Sequence, residues 1–309
     1  MNKDSKIFVA GHNGMVGKAL VKALKQNGYT NILVEERKNL DLCDFQKVQN
    51  YFENKRPEYV FHAAGKVGGI KANSENKADF MYINMVLAQN LINLSSLFKV
   101  KKFLNLGSSC IYPRDAQQPI KESSFMQGKL EETNEGYSLA KISAIKLGNF
   151  YREQYGLNFI SIMPPNLYGP NDSFDLDSCH VFSALVKRFY DAKISKKNKI
   201  KLWGTGSATR EFMHVEDLAE GCLFFMNNYD KKEILNVGWG IDISIKELAE
   251  KIKLKVDYKG LIEWDKSKPD GTPKKCMDVT EMKKFKFRPK IPLDDGIEEM
   301  IKIYETTIN

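Results

Sequence analysis

Short apolar runs alternate with longer amphipathic segments over the first half of the chain. Five runs have the length and composition of buried strands, at residues 6–10, 31–34, 59–64, 102–106 and 159–163. The segments between them carry apolar residues at helical spacing and predict helices at 16–26, 44–54, 78–98 and 137–155. Strands that alternate with helices are typical of a parallel sheet covered on both faces. The pattern therefore predicts an α/β fold with a doubly wound parallel sheet.

The alternation weakens after Pro164. Residues 171–179 are polar and rich in turn formers, a helix is predicted at 180–191, and residues 261–275 are rich in Asp, Lys, Pro and Gly. This change predicts a first domain over residues 1–170 and a smaller α/β domain over residues 171–309. Segments near residues 213–227 and 235–237 are candidates to return to the first domain.

A glycine-rich segment joins the first predicted strand to the first predicted helix. It reads Gly11, His12, Asn13, Gly14, Met15, Val16 and Gly17. Glycine permits a tight turn and a close approach of the backbone to a pyrophosphate, and the helix N-terminus offers free N–H groups to the phosphates. A glycine triplet alone is weak evidence, but its place between strand and helix indicates a dinucleotide site in a Rossmann-type fold.

The residues after the second predicted strand bear on the choice of cofactor. An acidic side chain about 20 residues beyond the glycines binds the ribose of NAD, whereas a nearby arginine accommodates the 2′-phosphate of NADP. Glu35, Glu36, Arg37 and Lys38 stand together at this position. These residues by themselves leave the choice between NAD and NADP open.

Two further motifs supply candidate chemistry. Tyr137 and Lys141 project from one face of a predicted helix, where an ammonium group would lower the pKa of the phenol from its usual value of about 10. Ser108 follows the fourth predicted strand, at the end where open sheets bind ligands, and its hydroxyl can hydrogen-bond a substrate oxygen. Together with the glycine segment, this set resembles the extended short-chain dehydrogenases/reductases, which act on nucleotide sugars.

Longer motifs narrow the resemblance to the GDP-L-fucose synthase family. These motifs occur in the family's order over nearly the whole chain, as KVGGI at 66–70, GSSCIYP at 107–113, NLYGP at 166–170, WGTG at 203–206, REFMHV at 210–215 and KPDGTP at 268–273. The resemblance implies reduction of the C4 ketone of a GDP-4-keto-6-deoxy sugar by NADPH, after epimerisation at C3 and C5. It also implies a homodimer formed through the helices at 78–98 and 137–155.

The resemblance assigns catalytic roles to five residues. Cys110 would be the base and His180 the acid for epimerisation, because the C4 ketone acidifies the protons on both neighbouring carbons. Ser108 and Tyr137 would hold the C4 oxygen and stabilise the enolate. Tyr137 would then give a proton while the nicotinamide delivers hydride to C4, and Lys141 would bind the nicotinamide ribose.

The resemblance also implies binding residues for both ligands. The cofactor site would comprise Gly11, His12, Asn13, Gly14, Met15, Val16, Gly17, Arg37, Ala64, Leu106, Lys141, Pro164, Asn166, Leu167 and His180. The substrate site would comprise Ser108, Ser109, Asn166, Arg188, Trp203, Arg210 and Asp270. Within this second set, Arg188 would contact the diphosphate.

The chain departs from the family pattern at several positions. Asn13 replaces an arginine that usually assists binding of the 2′-phosphate, although Arg37 matches a second expected arginine. We therefore expect NADPH, with NADH as the less favoured cofactor. Pro165, Asn171 and residues 207–208 also differ, and they flank the sugar pocket or its entrance.

Three functions stay open at this point. Cys110 and His180 favour the combined epimerase and reductase. Asn13, Pro165 and Asn171 favour C4 reduction of another GDP-4-keto-6-deoxy sugar, such as a heptose, without epimerisation. An NAD-recycling epimerase or dehydratase is less favoured, because dehydratases of this branch tend to carry an acidic pair where this chain has Ser109 and Cys110.

Composition limits the class and the setting of the protein. The 309 residues include 47 Lys and Arg against 39 Asp and Glu, a formal net charge of +8. The densest basic run, at 193–201, has no nucleic-acid motif beside it, so we expect no nucleic-acid partner. No apolar run approaches the roughly 20 residues of a membrane span, and the five scattered cysteines lack CxxC spacing. We therefore expect a cytoplasmic enzyme with no metal site and no membrane partner.

Overall fold

A computed structural model describes residues 1–176, 179–268 and 270–308 of the chain. Its helices are α1 Met15–Gln26, α2 Phe45–Lys55, α3 Ile70–Glu75, α4 Lys77–Leu97, α5 Glu135–Tyr155, α6 Val181–Ile194, α7 Val215–Asn228, α8 Ile245–Val256, α9 Thr280–Lys284 and α10 Leu293–Ile308. Its strands are β1 Ile7–Ala10, β2 Ile32–Leu33, β3 Tyr59–His62, β4 Lys102–Leu106, β5 Phe159–Met163, β6 Asn166–Tyr168, β7 Lys199–Trp203, β8 Thr209–His214, β9 Leu235–Asn236, β10 Asp242–Ser244, β11 Leu261–Asp265 and β12 Lys274–Lys275. Residues 177 and 178 of the predicted polar stretch, and Pro269 of the KPDGTP segment, lie outside the described residues.

A six-stranded parallel sheet forms the centre of the molecule, in the order β2-β1-β3-β4-β5-β9. Successive side chains of β1 enter different cores, because strand side chains alternate between faces. Ile7 and Val9 pack with α1 and α7, whereas Phe8 and Ala10 pack with α2 and α4. Apolar residues on both faces of a strand require helices on both faces, and the predicted Rossmann-type α/β fold is confirmed.

The strands and helices predicted up to residue 191 agree with the structure except at a few boundaries. The helix predicted at 137–155 begins at Glu135, because Gly136 allows its first turn to lie directly against the carbonyl of Lys77. The strand predicted at 31–34 shrinks to Ile32 and Leu33, which pair only with β1 at the sheet edge. The sequence pattern did not predict α3, which lies within and after the KVGGI motif, and it did not predict α8, α9 or α10.

The later part of the chain builds a smaller sheet and a third core. Strands β10, β8 and β12 are neighbours, and β6 pairs with β8. Helices α6, α8 and α10 supply most of the buried residues of the third core. In contrast, α7 packs on α1, and β9 pairs with β5 of the central sheet. The division into domains at 1–170 and 171–309 stays a prediction.

Two of the lysines in the basic run form ion pairs across neighbouring strands. On β7, Lys199 faces Glu263 of β11 at 3.0 Å, and Lys201 faces Asp265 at 3.1 Å. Part of the basic run at 193–201 therefore lies on an exposed strand and pairs with acidic residues of the neighbouring strand. No helix among the described residues has the length and apolarity needed to cross a membrane.

Candidate active site

A cavity of about 650 Å³ lies where the central sheet faces the smaller sheet. One wall comes from the segments that follow β3, β4 and β5, at Ala64, Ser108 and Pro164. The other wall includes Trp203 of β7 and Arg210 of β8. Parallel sheets bind ligands beyond the carboxyl ends of their strands, so the cavity has the position of a ligand site.

The glycine segment at one end of the cavity fits a dinucleotide. Gly11 has φ +86°, and a Cβ there would lie 2.6 Å from the backbone of Ala64. A Cβ at Gly17 would collide with the carbonyl oxygen of Gly11. Gly14 caps α1 without a side-chain hydrogen bond, which leaves the first N–H groups of the helix for an anion. Gly11 and Gly17 thus permit the close packing of the turn, and the N-terminus of α1 is left free to bind a pyrophosphate.

Arg37 lies in the exposed turn after β2. Its neighbours are engaged with one another, since Lys38 pairs with Glu36 at 2.7 Å and Glu35 accepts a hydrogen bond from Asn39 at 2.8 Å. That hydrogen bond lowers the pKa of Glu35. Among the described residues, no carboxylate forms an ion pair with Arg37. Its guanidinium group suits a 2′-phosphate.

Ser108, Tyr137 and Lys141 meet on one side of the cavity. The Ser108 hydroxyl hydrogen-bonds the phenol of Tyr137. Lys141 donates a hydrogen bond to the Leu106 carbonyl at 2.8 Å, and its Nζ lies 5.7 Å from the centre of the Tyr137 ring. The end of β4 and the face of α5 thus bring three of the predicted catalytic residues together.

Burial controls the pKa values of this group. It lowers the pKa of Lys141 to about 8. Burial also raises the pKa of Tyr137 above its usual value, the charge of Cys110 raises it further, and the Ser108 hydrogen bond opposes them. The prediction that Lys141 lowers the phenol pKa is therefore wrong for this structure, because lost solvation dominates and the group that opposes it is Ser108. Tyr137 is consequently a neutral phenol near neutral pH.

Cys110 lies in the 3₁₀ turn Ser109–Ile111, directly after Ser108. Two nitrogen donors face its sulfur, with Asn134 Nδ2 at 3.3 Å and Lys275 Nζ at 3.7 Å. Neither donor belongs to a motif of the sequence. Asn134 precedes the helix of the Tyr–Lys pair and Lys275 follows the KPDGTP segment, so proximity to two motifs was the only available signal.

His180 occupies the N-cap position of α6, and Arg188 follows it on the same helix. Both side chains line the cavity. Asp172 lies beside this helix end and accepts a hydrogen bond from Ser183. Burial raises the pKa of Asp172, and the Ser183 hydrogen bond and the charge of His180 oppose that rise. The imidazole thus has a carboxylate neighbour.

The opposite wall carries a buried cation and an anchored carboxylate. Arg210 donates hydrogen bonds to the carbonyls of Thr209 at 2.8 Å and Asp270 at 3.2 Å. The Asp270 carboxylate accepts from the backbone N–H and the hydroxyl of Thr205, both at 2.8 Å. Burial lowers the pKa of Arg210, which indicates a cation that an anionic ligand would stabilise.

Most of the predicted site residues line this one cavity. They are Gly14, Met15, Val16, Ala64, Leu106, Ser108, Ser109, Cys110, Tyr137, Lys141, Pro164, Asn166, Leu167, His180, Arg188, Trp203, Arg210 and Asp270. Gly11, His12, Asn13, Gly17 and Arg37 are not on its walls. The structure also places Asn134 and Lys275 on the wall. No cluster of described His, Cys, Asp or Glu residues could hold a metal ion.

Known proteins that are similar to this chain include enzymes that act on nucleotide sugars. Residues 7–238 match the NAD dependent epimerase/dehydratase family. GDP-L-fucose synthase 1 of Arabidopsis thaliana is 46% identical over 98% of this chain and 94% of its own length. GDP-L-fucose synthase of Escherichia coli is 43% identical over 94% of each chain. A GDP-mannoheptose C4 reductase from Campylobacter jejuni, solved with NADP bound, is 36% identical with a TM-score of 0.90 over 99% of each chain.

Proposed function

Because this chain belongs to the GDP-L-fucose synthase group of the NAD dependent epimerase/dehydratase family, we propose that it makes a GDP-6-deoxy sugar by epimerisation and reduction. It is an NADP-dependent oxidoreductase that reduces the C4 ketone of a GDP-4-keto-6-deoxy sugar, with epimerisation at C3 and C5. The observation that carries the proposal is the single cavity shared by Ser108, Cys110, Tyr137 and His180.

NADPH is the cofactor, and its site combines the glycine segment with two cations. The N-terminus of α1 would hold the pyrophosphate, Arg37 the 2′-phosphate and Lys141 the nicotinamide ribose. The bound cofactor supplies the hydride that reduces C4.

Epimerisation uses the acidity that the C4 ketone gives to the neighbouring C–H bonds. The Cys110 thiolate takes the proton, and the electron pair of that bond moves to the C4 oxygen as an enolate. The hydroxyls of Ser108 and Tyr137 hold this oxygen and stabilise its charge. His180 returns a proton to the opposite face of the carbon, which inverts its configuration.

Reduction then needs a proton at the same oxygen. Tyr137 supplies it, because burial keeps its phenol protonated near neutral pH. Lys141, with its pKa lowered to about 8, is mostly protonated there and stabilises the phenolate that remains. One tyrosine thus acts as a hydrogen-bond donor in the first step and as an acid in the second.

The second wall would bind the GDP moiety. Arg188 and Arg210 supply positive charge for the diphosphate, and Trp203 and Asp270 supply an aromatic surface and a fixed acceptor for the nucleoside. We therefore propose that residues 1–170 bind the cofactor and that residues 171–309 bind most of the nucleotide sugar.

A GDP-4-keto-6-deoxyheptose is the alternative substrate, and two observations favour it. The similar GDP-mannoheptose C4 reductase acts on a heptose, and Asn13, Pro165 and Asn171 depart from the usual fucose synthase pattern. This alternative would consume NADPH and would leave the hydrogens at C3 and C5 unexchanged. Cys110 and His180, both on the cavity wall, favour the epimerising enzyme.

Replacing Tyr137 by Phe tests the proposed chemistry. Removal of a general acid typically costs about 10²–10⁴ in rate, so NADPH oxidation with GDP-4-keto-6-deoxymannose should fall by that factor. Binding of NADPH, followed by its fluorescence, should stay unchanged. Tyr155→Phe is the matched control, because Tyr155 ends the same helix with an exposed ring. Wild-type turnover in Tyr137→Phe would remove the mechanism.

We also propose a homodimer that works in the cytoplasm. Helices α4 and α5 enclose a shallow apolar cleft that includes Met85, Leu147 and Phe150. The rings of Tyr82 and Phe150 are 68% and 53% exposed, so burying them against a second copy would be favourable. A free cysteine at position 110 suits a reducing compartment.

A further inference from the structure

We propose that Lys275 is a positioning residue for epimerisation, because its ammonium group faces the sulfur of Cys110 and stabilises the thiolate. The inference rests on the proposed role of Cys110 as the base. It adds a residue that lies 165 positions away in the chain and outside every motif of the sequence analysis.

The contact involves two donors and one sulfur. Lys275 Nζ lies 3.7 Å from Sγ and Asn134 Nδ2 lies 3.3 Å from the same atom. A thiolate accepts from such donors more strongly than a thiol does, since hydrogen bonds to an ionised partner are stronger. The two donors therefore favour the form of Cys110 that can take a proton.

The strand that carries Lys275 fixes its direction. Neighbouring side chains of β12 point to opposite faces, so Lys274 turns away and lies 3.4 Å from Asp242. The backbone N–H of Cys276 donates to Gln118 at 3.0 Å, and that of Met277 donates to Glu211 at 2.9 Å. These bonds hold the chain just beyond Lys275, so the backbone from which its side chain extends is fixed.

Other charged groups surround the thiol from neighbouring elements. Tyr137 and Lys141 of α5 and Arg210 of β8 all interact electrostatically with Cys110, and Glu131 acts on Arg210. Lys141 and Arg210 donate their hydrogen bonds to backbone carbonyls. Among the described residues, no carboxylate forms an ion pair with Lys275. Lys275 is thus the cation whose ammonium group is directed at the sulfur.

Lys275 takes no part in the proton transfer itself. The thiolate accepts the proton from C3 or C5, and the C–H electron pair becomes the enolate. Before the next abstraction the thiol passes that proton to solvent, and His180 takes one from solvent to replace the proton that it gave to carbon. A neighbouring cation raises the fraction of enzyme in which Cys110 is ready at neutral pH. The reduction step does not use Cys110, so it should not depend on Lys275.

Alkylation of Cys110 by iodoacetamide as a function of pH, followed by mass spectrometry of its peptide, tests the contact without requiring turnover. In Lys275→Met the midpoint of the pH profile should rise by about one pH unit, since the nearby opposite charge is lost. Lys275→Arg should restore most of the wild-type profile. Lys274→Met is the matched control and should leave the profile in place. Lys275→Gln serves as a second neutral variant in case Lys275→Met does not fold.

Deuterium entry from solvent at C3 and C5 provides the second measurement. It should slow by about tenfold at neutral pH in Lys275→Met, the factor that one pH unit represents. Reduction of a substrate that is already epimerised should proceed at the wild-type rate. Superimposed alkylation profiles for wild type and both neutral variants would overturn the inference. A shifted profile in an enzyme whose wild type exchanges no deuterium would support the contact and contradict the proposed epimerisation.

Discussion

Burial acts in opposite directions on the two residues of the Tyr–Lys pair. It removes solvent from both groups, which favours the neutral form of each. The pKa of Tyr137 therefore rises, while the pKa of Lys141 falls to about 8. Near neutral pH the result is a protonated phenol beside an ammonium group, which is the state that can donate a proton and stabilise what is left behind.

The lowered pKa of Lys141 predicts an alkaline limit for activity. Lys141 carries its charge below about pH 8 and loses it as the pH rises through that value, so kcat/KM for reduction should decline above about pH 8. Lys141→Arg keeps a cation at all these pH values and should move the decline to higher pH, whatever its absolute rate. An unchanged decline in Lys141→Arg would assign the limit to another group.

Arg37 should decide between the two nicotinamide cofactors. Hydrogen bonds to charged groups contribute about 1.5–3 kcal/mol, so Arg37→Ala should raise the KM for NADPH by about tenfold or more and leave that for NADH nearly unchanged. Lys38→Ala is the control, because Lys38 is paired with Glu36. Equal effects of Arg37→Ala on both cofactors would exclude the proposed contact with the 2′-phosphate.

The residues that sequence could predict are those whose neighbours in space are also close in the chain or belong to a motif. Tyr137 and Lys141 share a helix face, and Ser108 and Cys110 share a strand end. Lys275 could not be predicted as a neighbour of Cys110, because the contact depends on how β12 joins the smaller sheet.

In the first half of the chain, the long helices and the buried strands followed from periodicity, whereas α8 and α10 of the later part were not predicted. The helix α3 was missed because it has only six residues and lacks a side-chain cap, although hydrogen bonds from the Asn73 side chain to the nearby Gly68 and Gly69 carbonyls support it. The length of the edge strand β2 was overestimated, since this strand has a partner on one side only. Tertiary context thus set the extent of β2.

Helices α4 and α5 form the surface that we propose as the dimer interface, and a substitution there tests it. Phe150→Glu would place a charge in the apolar cleft that the two helices enclose, and it should convert a dimer into a monomer in light scattering after gel filtration. Leu254→Glu is the control, because Leu254 is also exposed but lies on α8. A wild-type protein that is monomeric at micromolar concentration would contradict the proposed dimer.

At the scale of the whole molecule, the return of the chain to its first sheet builds the site. After the smaller sheet has begun, α7 packs on α1 and β9 extends the central sheet next to β5. Alternation of strands and helices predicted the sheet but not its strand order, because order depends on long-range pairing. The same closure brings Arg210, Asp270 and Lys275 opposite the strand ends that carry Ser108 and Cys110.

The central claim is that one cavity performs epimerisation and reduction in sequence. The most direct test is to incubate the enzyme with GDP-4-keto-6-deoxymannose and NADPH in deuterated buffer and to determine the product by NMR. We predict GDP-L-fucose with deuterium at C3 and C5 and one NADPH oxidised for each product molecule. A reduced product that keeps its original hydrogens and configuration at C3 and C5 would contradict the account.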